Sequence, residues 1–173
     1  IEDHMGPGDY YAGAVSMCRQ MLAEGITRAY NFSLVSRPVL DAYRTAGMRA
    51  RLAIAVKDER TFKENVLLSR LARKEELIKV DFGIANERET PPELIQRVVS
   101  ESFRRGVGVQ VHVAEAPPGR YKKKFEGSSV EYLDRLSVFS EGTIAAHCIY
   151  VHDYDILLLA RKKAVAVACP IAN

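Results

Sequence analysis

The sequence predicts an α/β fold made of parallel β/α repeats. Three observations carry that prediction. Helical and short apolar segments alternate along the whole of the 173 residues. The apolar segments are hydrophobic nearly throughout, as strands covered on both faces are, instead of alternating with polar residues. A helix-to-strand turn recurs as EGI, AGM, RGV and EGT, around Gly25, Gly47, Gly106 and Gly142. A doubly wound sheet and a (β/α) barrel both satisfy this pattern.

Residues 9–24 read as the first helix, with Asp9 as N-cap, an apolar set from Ala14 to Leu22 and Gly25 as the stop. ITRAYNF (26–32) follows as a strand. Ser36 and Pro38 open a second helix, which ends at Gly47. MRARLAIAV (48–56) is the next strand, and residues 59–76 form a helix with Val66, Leu67 and Leu71 on one side. IKVDFGI (78–84) reads as one strand. Thr90, Pro91, Pro92 and Glu93 combine a capping-box spacing with prolines suited to a first turn. The stripe Leu94, Ile95, Val98, Val99 and Phe103 continues that helix to Gly106. VGVQVHVA (107–114), a helix over 128–139, TIAAHCIY (143–150), a helix from His152 to Lys163 and AVAVAC (164–169) complete the series.

Composition narrows the function classes. The chain is 47% hydrophobic and 27% charged, with a net charge of +3, so neither disorder nor a nucleic-acid-binding stripe is expected. No apolar run reaches the roughly 18 residues of a membrane span. IEDHMGPGDYY lacks the basic start and apolar stretch of a signal peptide. Cys18, Cys148 and Cys169 are odd in number and far apart, which fits a reducing cytoplasm better than a disulfide framework. GxGxxG after the first strand and GxxxxGK[ST] are both absent.

Functional groups gather at the carboxyl ends of strands in such folds. His112 lies near the end of VHVAE with Glu115 three residues on, and His147 lies in AAHC of the next strand. Imidazole is the commonest metal ligand, and a carboxylate beside activated water can move protons. A hydrolytic site is therefore the sharp reading of this trio, and a hydrogen-bonded core histidine is the plain one. His4 and His152 read as surface residues. Cys148 and Cys169 read as small core residues. Lys122–Lys124 reads as a solvated loop or a lid, and Tyr10 and Tyr11 as packing or solvent-facing.

VHVAEAP (111–117) resembles the fifth-strand segment of the amidohydrolase superfamily of metal-dependent hydrolases. AAHCIYVHDYDILLLARKKAVAVACPIAN (145–173) resembles the sixth-strand segment that follows it. EGITRAYNF, AGMRARLAIAV and PPELIQRVVSESFRRGVGVQVHVAE fit the deaminase and chlorohydrolase branch. The resemblance implies a TIM-like barrel, of which residues 1–173 would be a partial domain covering roughly strands two to seven. It implies that His112 ligates a divalent metal, zinc foremost or iron. Glu115 would shuttle a proton to the leaving nitrogen. His147 would hold the attacking water or polarise the substrate. The implied reaction is attack of metal-generated hydroxide on a ring carbon of a nitrogen heterocycle, with loss of ammonia or chloride. Cys169 and Asn173 would border the pocket without a catalytic role.

The sequence also departs from that family. The first-strand His-x-His is absent, and no Asp of an eighth strand follows. Ala85 stands where this branch often has His in Gly-Pro-His-Ala-Pro, and Glu87 and Arg88 replace apolar residues. One ligand is too few for zinc. An internal fragment of a longer enzyme, inactive alone, is therefore expected, and the competing expectation is a metal-free binding or regulatory module. Open sheet edges at 26–32 and 164–169 predict a homo-oligomer. The expected partner is a small nitrogen heterocycle, with neither nucleic acid nor membrane.

Overall fold

The computed structural model describes residues 5–33, 37–117 and 125–172. The elements alternate as predicted. They are α1 (Pro7–Ala23), β1 (Arg28–Ser33), α2 (Arg37–Ala46), β2 (Arg49–Val56), α3 (Glu59–Leu71), β3 (Ile78–Val80) and β4 (Phe82–Ile84). Then come α4 (Pro92–Arg105), β5 (Val109–Val113), α5 (Ser129–Arg135), β6 (Ile144–His147), α6 (Asp153–Arg161) and β7 (Val165–Val167). The strands pair in parallel in the order β1-β2-β4-β5-β6-β7, and β3 pairs with β2. Sequence order and spatial order coincide, with no reversal. A doubly wound sheet requires a reversal at its switch point, so this is the partial barrel.

The core lies between sheet and helices in two blocks. One packs α1, α2 and the end of α3 to β2 through residues such as Cys18, Leu40, Leu68, Met48 and Ile54. The other joins β4, β5 and β6 to the later helices through Phe82, Ile95, Val111 and Leu133. Among the described residues no helix is long and apolar enough to cross a membrane.

Several local expectations are corrected. Asp9 is not the N-cap of α1. Gly6 is, and the Asp9 carboxylate accepts from the Gly6 N–H at 2.8 Å. The strand expected over 78–84 is split at Asp81, because that carboxylate is turned to polar partners. It accepts from Arg51 Nε at 2.8 Å, Gln110 Nε2 at 3.0 Å and Gly108 N at 3.0 Å. The Thr90–Glu93 capping box does not form. Pro91 caps α4, and the Thr90 hydroxyl donates instead to the Val56 carbonyl at 2.6 Å.

The α3 face is also different. Thr61, Phe62, Asn65 and Leu68 are buried, and Leu67 and Leu71 are exposed. In α4, Leu94, Ile95, Val98 and Ser102 face the core, and Phe103 is 88% exposed. Phe103 stands about 180° round the helix from Leu94 at 100° per residue. The expected start at Ser36 lies outside the described residues. Gly106 ends α4 at φ 64°, a left-handed conformation that costs glycine nothing.

Candidate active site at the carboxyl ends of two neighbouring strands

β5 and β6 run in register, with His112 opposite Ala146 and Val113 opposite His147. That register sets the two imidazoles one step apart along neighbouring strands. Their ring centroids are 5.0 Å apart, edge to face at 85°. Phe32, at the end of β1, packs its ring on His112 with centroids 4.3 Å apart. Glu115 comes from the loop after β5. Its Oε1 lies 3.6 Å from His147 Nε2, with His147 7% and Glu115 49% exposed. One ligand atom from each of His112, Glu115 and His147 lies within 4.8 Å of the others.

The backbone turns sharply here. Ala114, His147 and Cys148 have φ of 50°, 72° and 51°, in the left-handed region that non-glycine residues rarely occupy. Such strain persists only where surrounding bonds over-determine it. Cys148 N donates to Val113 O at 2.9 Å and Tyr150 N to Ala114 O at 3.0 Å, clasping the two strand ends together. The turn aims His147 across to Glu115 just where β6 stops.

Burial pushes the His112 imidazole below its ordinary pKa, and neighbouring His147 pushes the same way, against the Glu115 charge. The neutral form, which offers a lone pair, is thereby favoured. Burial, with the Asp155 charge and Cys169, raises the Cys148 thiol to about 11. It is a protonated, packed thiol at neutral pH, not a nucleophile.

The loop after β4 frames the site. The Asn86 side chain accepts from the N–H groups of Arg88 and Glu89, both at 2.9 Å, and so holds that turn. Buried Glu87 accepts from Ser129 Oγ at 2.8 Å, and Arg88 donates to the Ala116 carbonyl at 3.3 Å. Glu87 thus ties the loop to α5, and Arg88 ties it to the segment carrying Glu115. Ala85 is buried at the end of β4. The contributions of Phe32 and of the strained turns went unforeseen. Phe32 was legible as the last aromatic of a strand end, but positive φ at Ala, His and Cys leaves no mark in composition.

Other expected positions separate from the trio. His152 caps α6 and is exposed, and the Tyr11 hydroxyl meets Thr45 Oγ1 at 3.0 Å. Cys169 is half-buried. His4, Lys122–Lys124 and Asn173 lie outside the described residues.

Residues 3–173 match the profile of the amidohydrolase family. The chain belongs to this family. It is 28% identical over 182 residues to the 5-methylthioadenosine/S-adenosylhomocysteine deaminase of Pelotomaculum thermopropionicum, covering 100% of this chain and 42% of that protein. It is 26% identical over 191 residues to the 5'-deoxyadenosine deaminase of Methanosarcina acetivorans, covering 100% and 44%. The fold matches a zinc-bound adenosine deaminase from Xanthomonas campestris, with a TM-score of 0.82 and 21% identity over 96% of this chain and 40% of that one. It also matches a zinc complex of atrazine chlorohydrolase from Arthrobacter aurescens, with a TM-score of 0.84 and 15% identity over 98% and 44%. The chain thus spans less than half the length of these relatives.

Within the amidohydrolase family, two imidazoles and a carboxylate are donors suited to zinc. One donor atom from each lies within 4.8 Å of the others, and His112, whose neutral form burial favours, offers an imidazole lone pair to a metal. The residues present therefore fit part of a metal site.

Proposed function

We propose that the protein is the site-bearing part of a metal-dependent hydrolase that removes ammonia from a nitrogen heterocycle of the nucleoside or nucleobase type. The convergence of His112, Glu115 and His147 at the ends of β5 and β6 carries this reading. The names of the curated relatives, adenosine-type deaminases, support the substrate class.

His112 would hold a divalent metal, zinc foremost. A metal bound there supplies Lewis acidity and makes water nucleophilic near neutral pH. His147, fixed by the strained end of β6, orients the attacking water with its Nε2. Glu115 is the most exposed of the three and sits within one water of His147. It takes a proton from that water and delivers it to the leaving nitrogen. Phe32 covers the His112 ring and keeps bulk water from it. A homo-oligomeric state, built on the open sheet edges, and a cytoplasmic setting, consistent with three free cysteines, belong to the same reading.

The test is turnover of 5'-deoxyadenosine or methylthioadenosine by the full-length protein, with metal content measured in parallel. Glu115→Gln should lower kcat by about 10²–10⁴ while the metal is retained. Near-native turnover in that variant would remove Glu115 from the mechanism. An intact protein purified without chelator and free of stoichiometric metal would favour a binding module instead.

A further inference from the structure

The break at Asp81 opens a cleft at the opposite end of the strands. Among the described residues β3 pairs with β2 alone, whereas β4 pairs with both β2 and β5. Below Phe82 the third strand position and the segment leading into β5 diverge, with Lys79 and Val80 on one side and Gly106 and Val107 on the other. The ends of α3 and α4 close the gap. The resulting cavity is about 670 Å³, a size that suits a small molecule.

Five cations line it: Arg70, Arg73, Lys79, Arg104 and Arg105. No carboxylate is among the lining residues. Nearby Glu101 engages Arg104 at 2.6 Å and Arg105 at 2.8 Å. Of the described residues, Lys79 Nζ reaches only the Glu75 carbonyl, at 3.4 Å. Among the described residues, Arg70 and Arg73 have no carboxylate within ion-pair distance. Helix dipoles account for a basic residue or two at each helix C-terminus. They do not account for two helix ends and a strand lysine converging on one concavity, in a chain whose net charge is only +3. The cleft lies mid-sheet, away from the edge strands β1 and β7.

We infer that this cleft binds a small polyanion carrying at least two phosphate groups. Guanidinium forks pair with phosphate oxygens two at a time, and Arg70, Arg73 and Lys79 supply charge that no internal acid cancels. The apolar floor of Ala72, Val80 and Val107 excludes water from the contact and so strengthens it. A concave cavity favours a compact ligand over an extended nucleic acid strand. The site is separate from the His112 centre, so it stands or falls independently of the proposed reaction.

Isothermal titration calorimetry with pyrophosphate, at fixed ionic strength, tests it. Saturable 1:1 binding with Kd below about 1 mM is expected, with inorganic phosphate at least tenfold weaker. The double charge reversal Arg70→Glu with Arg73→Glu should weaken pyrophosphate about tenfold or more, and Lys79→Gln, a milder change, should weaken it in the same direction. His112→Ala should leave it unchanged. Circular dichroism confirms that each variant is folded. Non-saturating heats that follow ionic strength, or affinity indifferent to both the double reversal and Lys79→Gln, would overturn the inference. So would a single-stranded oligonucleotide binding at these residues without competition from pyrophosphate.

Discussion

Asn65 is a fully buried polar side chain on α3, beside buried Thr61, Phe62 and Leu68. Its Oδ1 accepts from Ile54 N at 3.3 Å and Gly83 N at 3.1 Å, and its Nδ2 donates to the Asp81 carbonyl at 2.9 Å. One amide thus satisfies three backbone groups where β2, β3 and β4 meet. Gly83 belongs to the same knot, since a Cβ there would run into the Ile54 carbonyl oxygen. Asn65→Ala leaves two buried N–H groups and one carbonyl unpaired. An orphaned buried group costs about 1–3 kcal/mol, so the variant should lose about 2–4 kcal/mol of unfolding free energy in urea titrations. A loss under about 0.5 kcal/mol would mean that water replaces the amide. Asp81, whose side chain is 1% exposed, shows the same economy, with four donors arriving from β2, β5 and the turn before β5.

At the scale of elements, those buried polar side chains explain where the sequence reading failed. Hydrophobic periodicity places helices and strands correctly because most core positions are apolar. It misassigns the face of α3 because Thr61 and Asn65 face inward, and it runs β3 and β4 together because Asp81 sits inside an apolar run. His112, Glu115 and His147 were legible because chemistry-bearing residues at the ends of successive parallel strands must approach one another. The last turn of α4 makes a separate prediction. Hydrogen bonds from Arg104 and then Arg105 hold the Glu101 carboxyl down at about 2, against about 4.3 in an unfolded chain. Its folded pKa is depressed, so its stabilisation is present above about pH 4.3 and disappears as pH falls toward 2. Because the pair is partly exposed, Glu101→Gln should cost about 1 kcal/mol or less at pH 7. It should also flatten the stability profile between those two pH values. An unchanged acid limb in urea titrations across that range would show that the pairs do not form in solution.

At the scale of the molecule, the parallel sheet of the described residues ends in two edge strands, β1 and β7, each paired on one side only. An unpaired edge presents a row of N–H and C=O groups ready to pair with another chain. Exposed apolar side chains lie on both edge strands or just before them: Ile26 and Tyr30 at β1, and Val165 at β7. Val165 N already donates to Thr143 O at 2.8 Å, toward β6. Successive N–H groups of a strand point to opposite sides, so the Ala166 N–H points outward. Light scattering at micromolar concentration should therefore find assemblies larger than the 19.3 kDa chain. Ala166→Pro removes the outward donor and spares the bonds to β6, as edge prolines do. It should weaken association about tenfold, a loss of about 1.4 kcal/mol, with little change in the circular dichroism of the subunit. A monodisperse monomer, or assemblies indifferent to Ala166→Pro and to charge placed at Tyr30, would show that neither edge is the contact.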